Sequence, residues 1–228
     1  MAGTKSGGRT AIYIVLGVLV VAGLAGWSFA SFRSGGSGGA GGDANFSASV
    51  QGALVVAGNK NAPHTVDVYE DFICPFCARF ESEHSADMAK AVNDGKIQVR
   101  YHVLGFLNKY SNPAGYSLRA ANAGVCSAEA GVFSAYHKKL FDEAPAEGTA
   151  GFSDAELVQK AKDVGAPATI EKCITSGKFT KVIASETERA TKDASLKSAQ
   201  GRFGTPRITV DGKVVEDTDG SWLSDITK

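Results

Sequence analysis

The residues of this chain whose types and spacing could do chemistry are Cys74 and Cys77, separated by Pro75 and Phe76. Two thiols so placed can exchange electrons with another disulfide, or they can supply half the ligands of a zinc ion. Zinc would need a second close pair, and the other two cysteines, Cys126 and Cys173, stand far apart. Redox chemistry is the expectation, with no metal and no cofactor beyond the sulfurs themselves.

What makes such a pair reactive is where it sits. Thr65 to Phe72 (TVDVYEDF) is rich in β-branched and aromatic residues and reads as a strand. From Ala78 to Asn93 the pattern is helical, with Phe80, His84, Met88 and Val92 four apart on one face and Asp94-Gly95 as the stop. The motif therefore falls where a strand gives way to a helix. There the unpaired N–H groups and the helix dipole favour an anion, which lowers the Cys74 thiol from about 8.5 and gives it the role of nucleophile. Pro75 takes the first helical position, where its missing N–H costs nothing. Cys77, a turn on, can attack a mixed disulfide at Cys74 and release the substrate; it is the resolving thiol.

Around this unit, Ala53–Val56 and Ile97–Leu104 read as further strands, so strand, helix and strand make a parallel βαβ pair. Asn112 to Ala199 shows helix rather than strand patterns, with Ser153 and Glu156 forming a capping box and one long helix over Phe179–Ser198. Arg207–Val210 and Lys213–Glu216, joined by Asp211-Gly212, read as a hairpin before a terminal helix. The plan is α/β with a long helical insertion, about 108–199, in a domain spanning 46–228.

The N-terminal region is of another kind. Residues 1–10 form a leader holding Lys5 and Arg9 and no acid, and Ala11 to Phe32 is an uncharged apolar run. At about 1.5 Å per residue it spans a hydrocarbon core about 30 Å thick. The basic leader keeps the N-terminus cytoplasmic and sends the remainder outside. The segment 11–32 is read as an uncleaved anchor; the alternative is a signal peptide cut near Ala30, which also exports the domain. Residues 33–45, rich in Gly and Ser, form a flexible linker. Lys and Arg total 24 and so do Asp and Glu; with Lys5, Arg9 and Arg33 set aside the exported part is mildly acidic. It lacks the basic footprint of a nucleic-acid-binding domain.

The stretch Gly58 to Glu81 (GNKNAPHTVDVYEDFICPFCARFE), followed by Phe203-Gly204-Thr205-Pro206-Arg207-Ile208-Thr209-Val210-Asp211-Gly212, resembles the DsbA-type thiol–disulfide oxidoreductases, over roughly residues 46–228. The resemblance implies a thioredoxin fold with a helical insertion and a redox-active Cys74–Cys77 disulfide. It also implies a cis-proline at Pro206, with Thr205 and Pro206 meeting an extended substrate. The substrates implied are unfolded or cysteine-containing exported proteins, with a membrane redox partner or a small thiol to recycle the enzyme.

Two positions depart from that family. The buried acid many relatives carry six residues before the first cysteine falls here on Val68. Glu70 is the candidate proton relay in its place, although Glu70 and Asp71 also read as solvated loop charges. Phe76 stands where the strongly oxidising relatives have a histidine, which predicts a less acidic Cys74 and a weaker oxidant. The expected direction is oxidation of exported proteins. The alternatives are a reductase or isomerase kept reduced, and a non-enzymatic envelope protein that only binds.

Of the three ways to pair four cysteines, spacing favours Cys74 with Cys77 and leaves Cys126 and Cys173 for a structural disulfide; a second redox pair or two free thiols are the alternatives. His64, His84, His102 and His137 show no metal spacing and read as packed or solvated side chains. Trp222 and Tyr101 read as core, and Phe106 and Leu107 as core that could also rim the site.

Overall fold

The computed structural model describes residues 45–228. The leader, the apolar segment 11–32 and all of the 33–45 linker but its last residue lie outside the described residues. Among the described residues no helix is long and apolar enough to cross a membrane.

The described chain opens with a hairpin, β1 (Ala48–Gln51) and β2 (Leu54–Ala57), turned at Gly52 with φ 65°. Then come β3 (His64–Glu70), α1 (Pro75–Asn93) and β4 (Ile97–Val103). Five helices follow: α2 (Tyr116–Glu129), α3 (Phe133–Asp142), α4 (Asp154–Asp163), α5 (Ile170–Thr175) and α6 (Thr180–Lys192). The chain closes with β5 (Arg207–Val210), β6 (Lys213–Val214) and α7 (Trp222–Thr227). The strands form one sheet in the order β1-β2-β4-β3-β5-β6. Only β3 and β4 run parallel, from His64 opposite Ile97 to Glu70 opposite Val103. All other neighbours are antiparallel.

Two elements differ from the sequence expectation. Strand β1 is unforeseen because ASVQ carries no apolar run; it is an edge strand whose residues alternate between half-buried and exposed. The single helix expected over Phe179–Ser198 ends at Lys192. Asp193 turns to an extended conformation (ψ 116°) and its carboxylate accepts from Ser195 N at 2.9 Å, opening a separate 3₁₀ turn, Ala194–Leu196. A side chain that captures a backbone N–H two residues on competes directly with helix propagation. The Ser153–Glu156 capping box is formed at the head of α4.

Because side chains alternate along a strand, the two faces of the sheet hold different chemistry. Val66, Val68 and Glu70 share one face with Val99, Tyr101 and Val103, beneath α1 and α3; Tyr101 packs on Phe133 of α3, ring centroids 5.2 Å apart. Helix α2 comes close enough to this layer that a Cβ at Gly124 would lie 2.9 Å from the Phe72 ring, so only glycine fits. The other face carries Asp67. Its buried carboxylate takes two bonds from Arg100 (2.5 and 2.7 Å), one from Thr209 Oγ1 (2.9 Å) and a contact with His102 Nε2 at 3.1 Å. His102 Nδ1 in turn meets Glu186 of α6 at 2.6 Å. Two of the four histidines, His102 and His137, thus pair with buried acids rather than merely filling space.

Cys126 of α2 and Cys173 of α5 form a disulfide, their Cα atoms 5.9 Å apart and 47 residues apart in sequence. Closing such a loop contributes about 4 kcal/mol in the chain-entropy model. The double variant Cys126→Ala/Cys173→Ala is expected to unfold at lower denaturant, with up to about that loss, while leaving the reactivity of the Cys74 and Cys77 thiols unchanged. Burial alone would raise the Asp67 pKa, but the hydrogen bonds from His102 and Arg100 outweigh it and hold the carboxyl well below the usual range. Its stabilisation is therefore fully present above about pH 4 and drains away as pH falls further. Asp67→Asn is expected to cost about 3–5 kcal/mol at neutral pH and to flatten the acid limb of the stability curve, both read by urea denaturation at several pH values.

Candidate active site

Cys74 is the residue that caps α1, in an extended conformation (φ −76°, ψ 117°), and Pro75 is the first helical residue. Its amide is tied to Asp71 O at 2.9 Å, which closes the turn between β3 and the helix. Both motif cysteines are free thiols and both are buried, Cys74 3% and Cys77 1% exposed. Cys74 Sγ donates to the Thr205 carbonyl at 3.3 Å, and the Thr205–Pro206 peptide bond is cis. Residues 131 positions apart in sequence meet at one sulfur.

The two thiols are driven in opposite directions. Cys74 is lowered to about 6, first by a hydrogen bond from the Cys77 thiol, against the cost of burial, with further help from the Thr205 side chain and the N–H groups of Cys77 and Phe76. Cys77 is raised well above its ordinary value by burial, then by its bond and proximity to the Cys74 sulfur, with Glu70 adding to the effect. Such a split leaves the Cys74 sulfur largely ionised at neutral pH and the Cys77 thiol protonated.

Phe76 projects into solvent, 69% exposed, and offers the sulfur only its backbone N–H. Beside it an open cleft is lined by Phe76, Arg79, Glu83, Thr205, Pro206 and Asp219. Phe106 packs on Phe203, centroids 5.2 Å apart, and belongs to a small core cluster rather than to this rim. Tyr101 and Trp222 are core residues.

Glu70 and Asp71 are not solvated charges: they are 1% and 0% exposed. Asp71 accepts from Ile73 N (3.1 Å) and Leu107 N (2.8 Å), pinning the strand exit to the loop after β4, and burial raises its pKa to about 6 despite these bonds. Glu70 lies two residues beyond Val68 on β3, hence on the same face and one step closer to the motif. Its Oε1 is 2.6 Å from His137 Nε2, and His137 Nδ1 is 3.6 Å from Glu81 Oε2. Burial first, then the Asp71 charge, raises Glu70 well above the carboxylate range; burial raises Glu81 to about 7 and lowers His137.

His137 and Glu81 were not legible in the sequence. Glu81 looks like any acid on a helix whose neighbours Ser82 and Glu83 are exposed, and His137 comes from α3, in the insertion. These three side chains are also the group among the described residues whose donor atoms lie close enough for a cation, within 4.8 Å of one another. Yet the imidazole stands between the carboxylates and turns a different nitrogen to each, the geometry of shared protons rather than of a common metal.

Comparison with known proteins agrees with this geometry. The thioredoxin family model (described as "Thioredoxin") matches residues 51–226. MdbA, a thiol–disulfide oxidoreductase from Corynebacterium diphtheriae, superposes with a TM-score of 0.68 at 28% identity, over 80% of this chain and 93% of that one. Reduced DsbA from Mycobacterium tuberculosis gives 0.63 at 28% identity, over 74% and 85%. A curated relative, the serine/threonine-protein kinase PknE of M. tuberculosis, is 34% identical over 176 residues; the match covers 75% of this chain but spans only 31% of that kinase's length. By the span of its family model, which takes in most of the described residues, the chain belongs to the thioredoxin family.

Proposed function

We propose that the domain works outside the cytoplasm, held at the membrane by residues 11–32, and passes the Cys74–Cys77 disulfide to cysteine pairs of exported proteins. The observation that carries this reading is the split between the sulfurs, Cys74 lowered to about 6 and Cys77 raised well above its usual value. A stabilised thiolate stabilises the reduced enzyme, and that makes its disulfide the stronger oxidant. In the forward reaction a substrate thiolate attacks Cys74 and expels Cys77, which takes up a proton; a second substrate thiol then releases Cys74 as the thiolate. Thr205 and Pro206 give an extended segment an edge to lie against, and exposed Phe76 offers it an apolar contact. A membrane redox partner or a small thiol–disulfide couple reoxidises the pair. Glu70, buried on the strand that feeds the motif, supplies the proton that Cys77 takes up and receives it back when Cys77 attacks a mixed disulfide.

The opposite direction, a reductase or isomerase kept reduced, is favoured by one feature: Phe76 supplies no side-chain donor to the sulfur. At about 6 the Cys74 thiol lies nearer to thioredoxin, about 7, than to the most oxidising thiol of this type, about 3.5. The reading adopted is therefore an oxidase of intermediate strength.

The reduction potential decides between them. It is expected between about −120 and about −230 mV, and a value near −270 mV, that of thioredoxin, would overturn the oxidase direction. Its pH dependence carries a further signature. Below pH about 6 reduction takes up two protons and the potential falls by about 59 mV per pH unit; above it Cys74 stays ionised and the slope halves to about 30 mV. Placing a ring donor beside the sulfur with Phe76→His is expected to lower the Cys74 pKa by about one unit and to raise the potential by about 30 mV. Cys77→Ser is expected to accumulate mixed disulfides through Cys74, visible on non-reducing gels and absent from Cys74→Ser.

A further inference from the structure

Thr205 reaches the Cys74 sulfur from a stretch with no helix or strand of its own. It lies between the 3₁₀ turn that ends at Leu196 and β5, which begins at Arg207. Two bonds inside that stretch, Ser198 N to Arg202 O (2.9 Å) and Gly201 N to Ser198 O (2.8 Å), close a turn upon itself. Gly204, next to Thr205, has nothing within 4 Å of where a Cβ would stand, and glycine restrains its own backbone least of all residues. The position of Thr205 is therefore set by what grips the segment on either side of it.

Both grips lead to one residue of β3. Downstream, Arg207 pairs with Tyr69 across the β3–β5 ladder. Upstream, the half-buried Phe203 ring meets the Tyr69 ring edge-on, centroids 6.4 Å apart and planes at 90°, and meets Phe106 at 5.2 Å and 83°. Edge-to-face contact is a preferred arrangement for such rings, since the positive edge of one faces the negative face of the other. These three residues share a small core with Leu104, Ala190 and Leu196, apart from the main core that holds the motif cysteines. Tyr69 is itself fixed: His102 stacks on its ring at 3.9 Å and Arg189 lies over it at 5.9 Å. The strand that leads into Cys74 thus holds the 203–207 segment twice, by its backbone at one end and by a ring at the other.

We propose that Phe203 is a positioning residue, a wedge between Tyr69 and Phe106 that sets where Thr205 meets the Cys74 sulfur and the substrate. This rests on the proposed reading of Cys74 as the nucleophile and of Thr205 and Pro206 as the edge for an extended segment. Phe203 acts only through Thr205, two residues on. Without its ring the segment is free to pivot about Arg207, and two properties change together. The Thr205 side chain gives up its bond to the Cys74 sulfur, so the thiol becomes less acidic. The other donors to that sulfur, the Cys77 thiol and the amides of Phe76 and Cys77, stand on α1 and keep their places. Asp71, whose charge couples to Cys74, is pinned by the amides of Ile73 and Leu107 and stays as well. The edge offered to an extended segment is displaced in the same movement, so a substrate is held less well.

The test uses the full chain, titrates Cys74 by its thiolate absorbance, and measures kcat and KM for oxidation of an extended peptide carrying two thiols. Phe203→Ala is expected to raise the Cys74 midpoint by about half a unit and KM about fivefold, with kcat changed less than about twofold. At about pH 9, where Cys74 is ionised in both proteins, iodoacetamide should alkylate variant and wild type at the same rate. Phe203→Leu, which keeps an apolar wedge, should regain most of both changes, and Tyr69→Phe, which keeps the ring, should match wild type. The Cys126→Ala/Cys173→Ala variant, destabilised without touching the segment, should show neither change. If Phe203→Ala, folded by near-ultraviolet circular dichroism, keeps the wild-type midpoint and KM, the wedge does not position Thr205, and the role of Cys74 is untouched. Equal changes in the variant lacking the Cys126–Cys173 disulfide would also overturn the proposal, because lost stability alone would then account for them. If wild-type Cys74 ionises like a free thiol and Cys77→Ser traps no mixed disulfide, the reading beneath the proposal fails instead.

Discussion

Everything in this structure depends on keeping one sulfur charged and its neighbour neutral within a single helical turn. With thiols of equal acidity, neither sulfur would be the preferred attacker or leaving group. The head of α1 breaks that equality, because Cys74 sits where N–H groups converge and Cys77 sits inside the helix against the core. Burial acts on both, yet only Cys74 gains compensating donors, and the Cys77 thiol is one of them. The anion on one sulfur is therefore part of the reason that the other stays protonated.

The rest of the fold serves to hold this asymmetry in place. The parallel β3–β4 pair fixes where the strand ends and the helix begins, and Asp71 locks the corner by accepting from Ile73 and Leu107. Strand β5, in register with β3 from Tyr69–Arg207 to Val66–Val210, delivers Thr205 to the sulfur from the far end of the chain. The insertion covers the core face of the sheet, seats Phe133 against Tyr101, and is stapled by Cys126–Cys173. On the opposite face the Asp67–Arg100–His102–Glu186 network ties β3 and β4 to α6 without touching the motif.

The acid near the motif shows how a strand can carry a buried carboxyl at more than one depth on the same face. A carboxyl moved by one residue would emerge on the wrong face of the sheet, whereas a move by two keeps the face and changes only the depth. Val68 and Glu70 differ by such a step. The same face then meets His137 and Glu81, so that the Glu70 carboxyl shares its burial with an imidazole and a second acid.

The sequence by itself determined the βαβ unit, the placement of Cys74 at a helix head, Pro75 at its first position, the capping box of α4 and the closing hairpin. Each is a local pattern, fixed by period, turn chemistry or the requirement of one backbone N–H. It also carried the resemblance that joined Thr205-Pro206 to the motif. Only the tertiary structure decided what neighbours in space decide. It buried Glu70 and Asp71, which as letters are indistinguishable from solvated charges. It brought Glu81 and His137 together from separate helices, and it set the edge strand β1, whose apolar signal is too weak to read. Acidity is not a property of a residue type but of its surroundings, since desolvation and partners shift a carboxyl or thiol far more than its identity does. Those surroundings are assembled across the chain, and that is why the chemistry of the motif was legible while the groups that tune it were not.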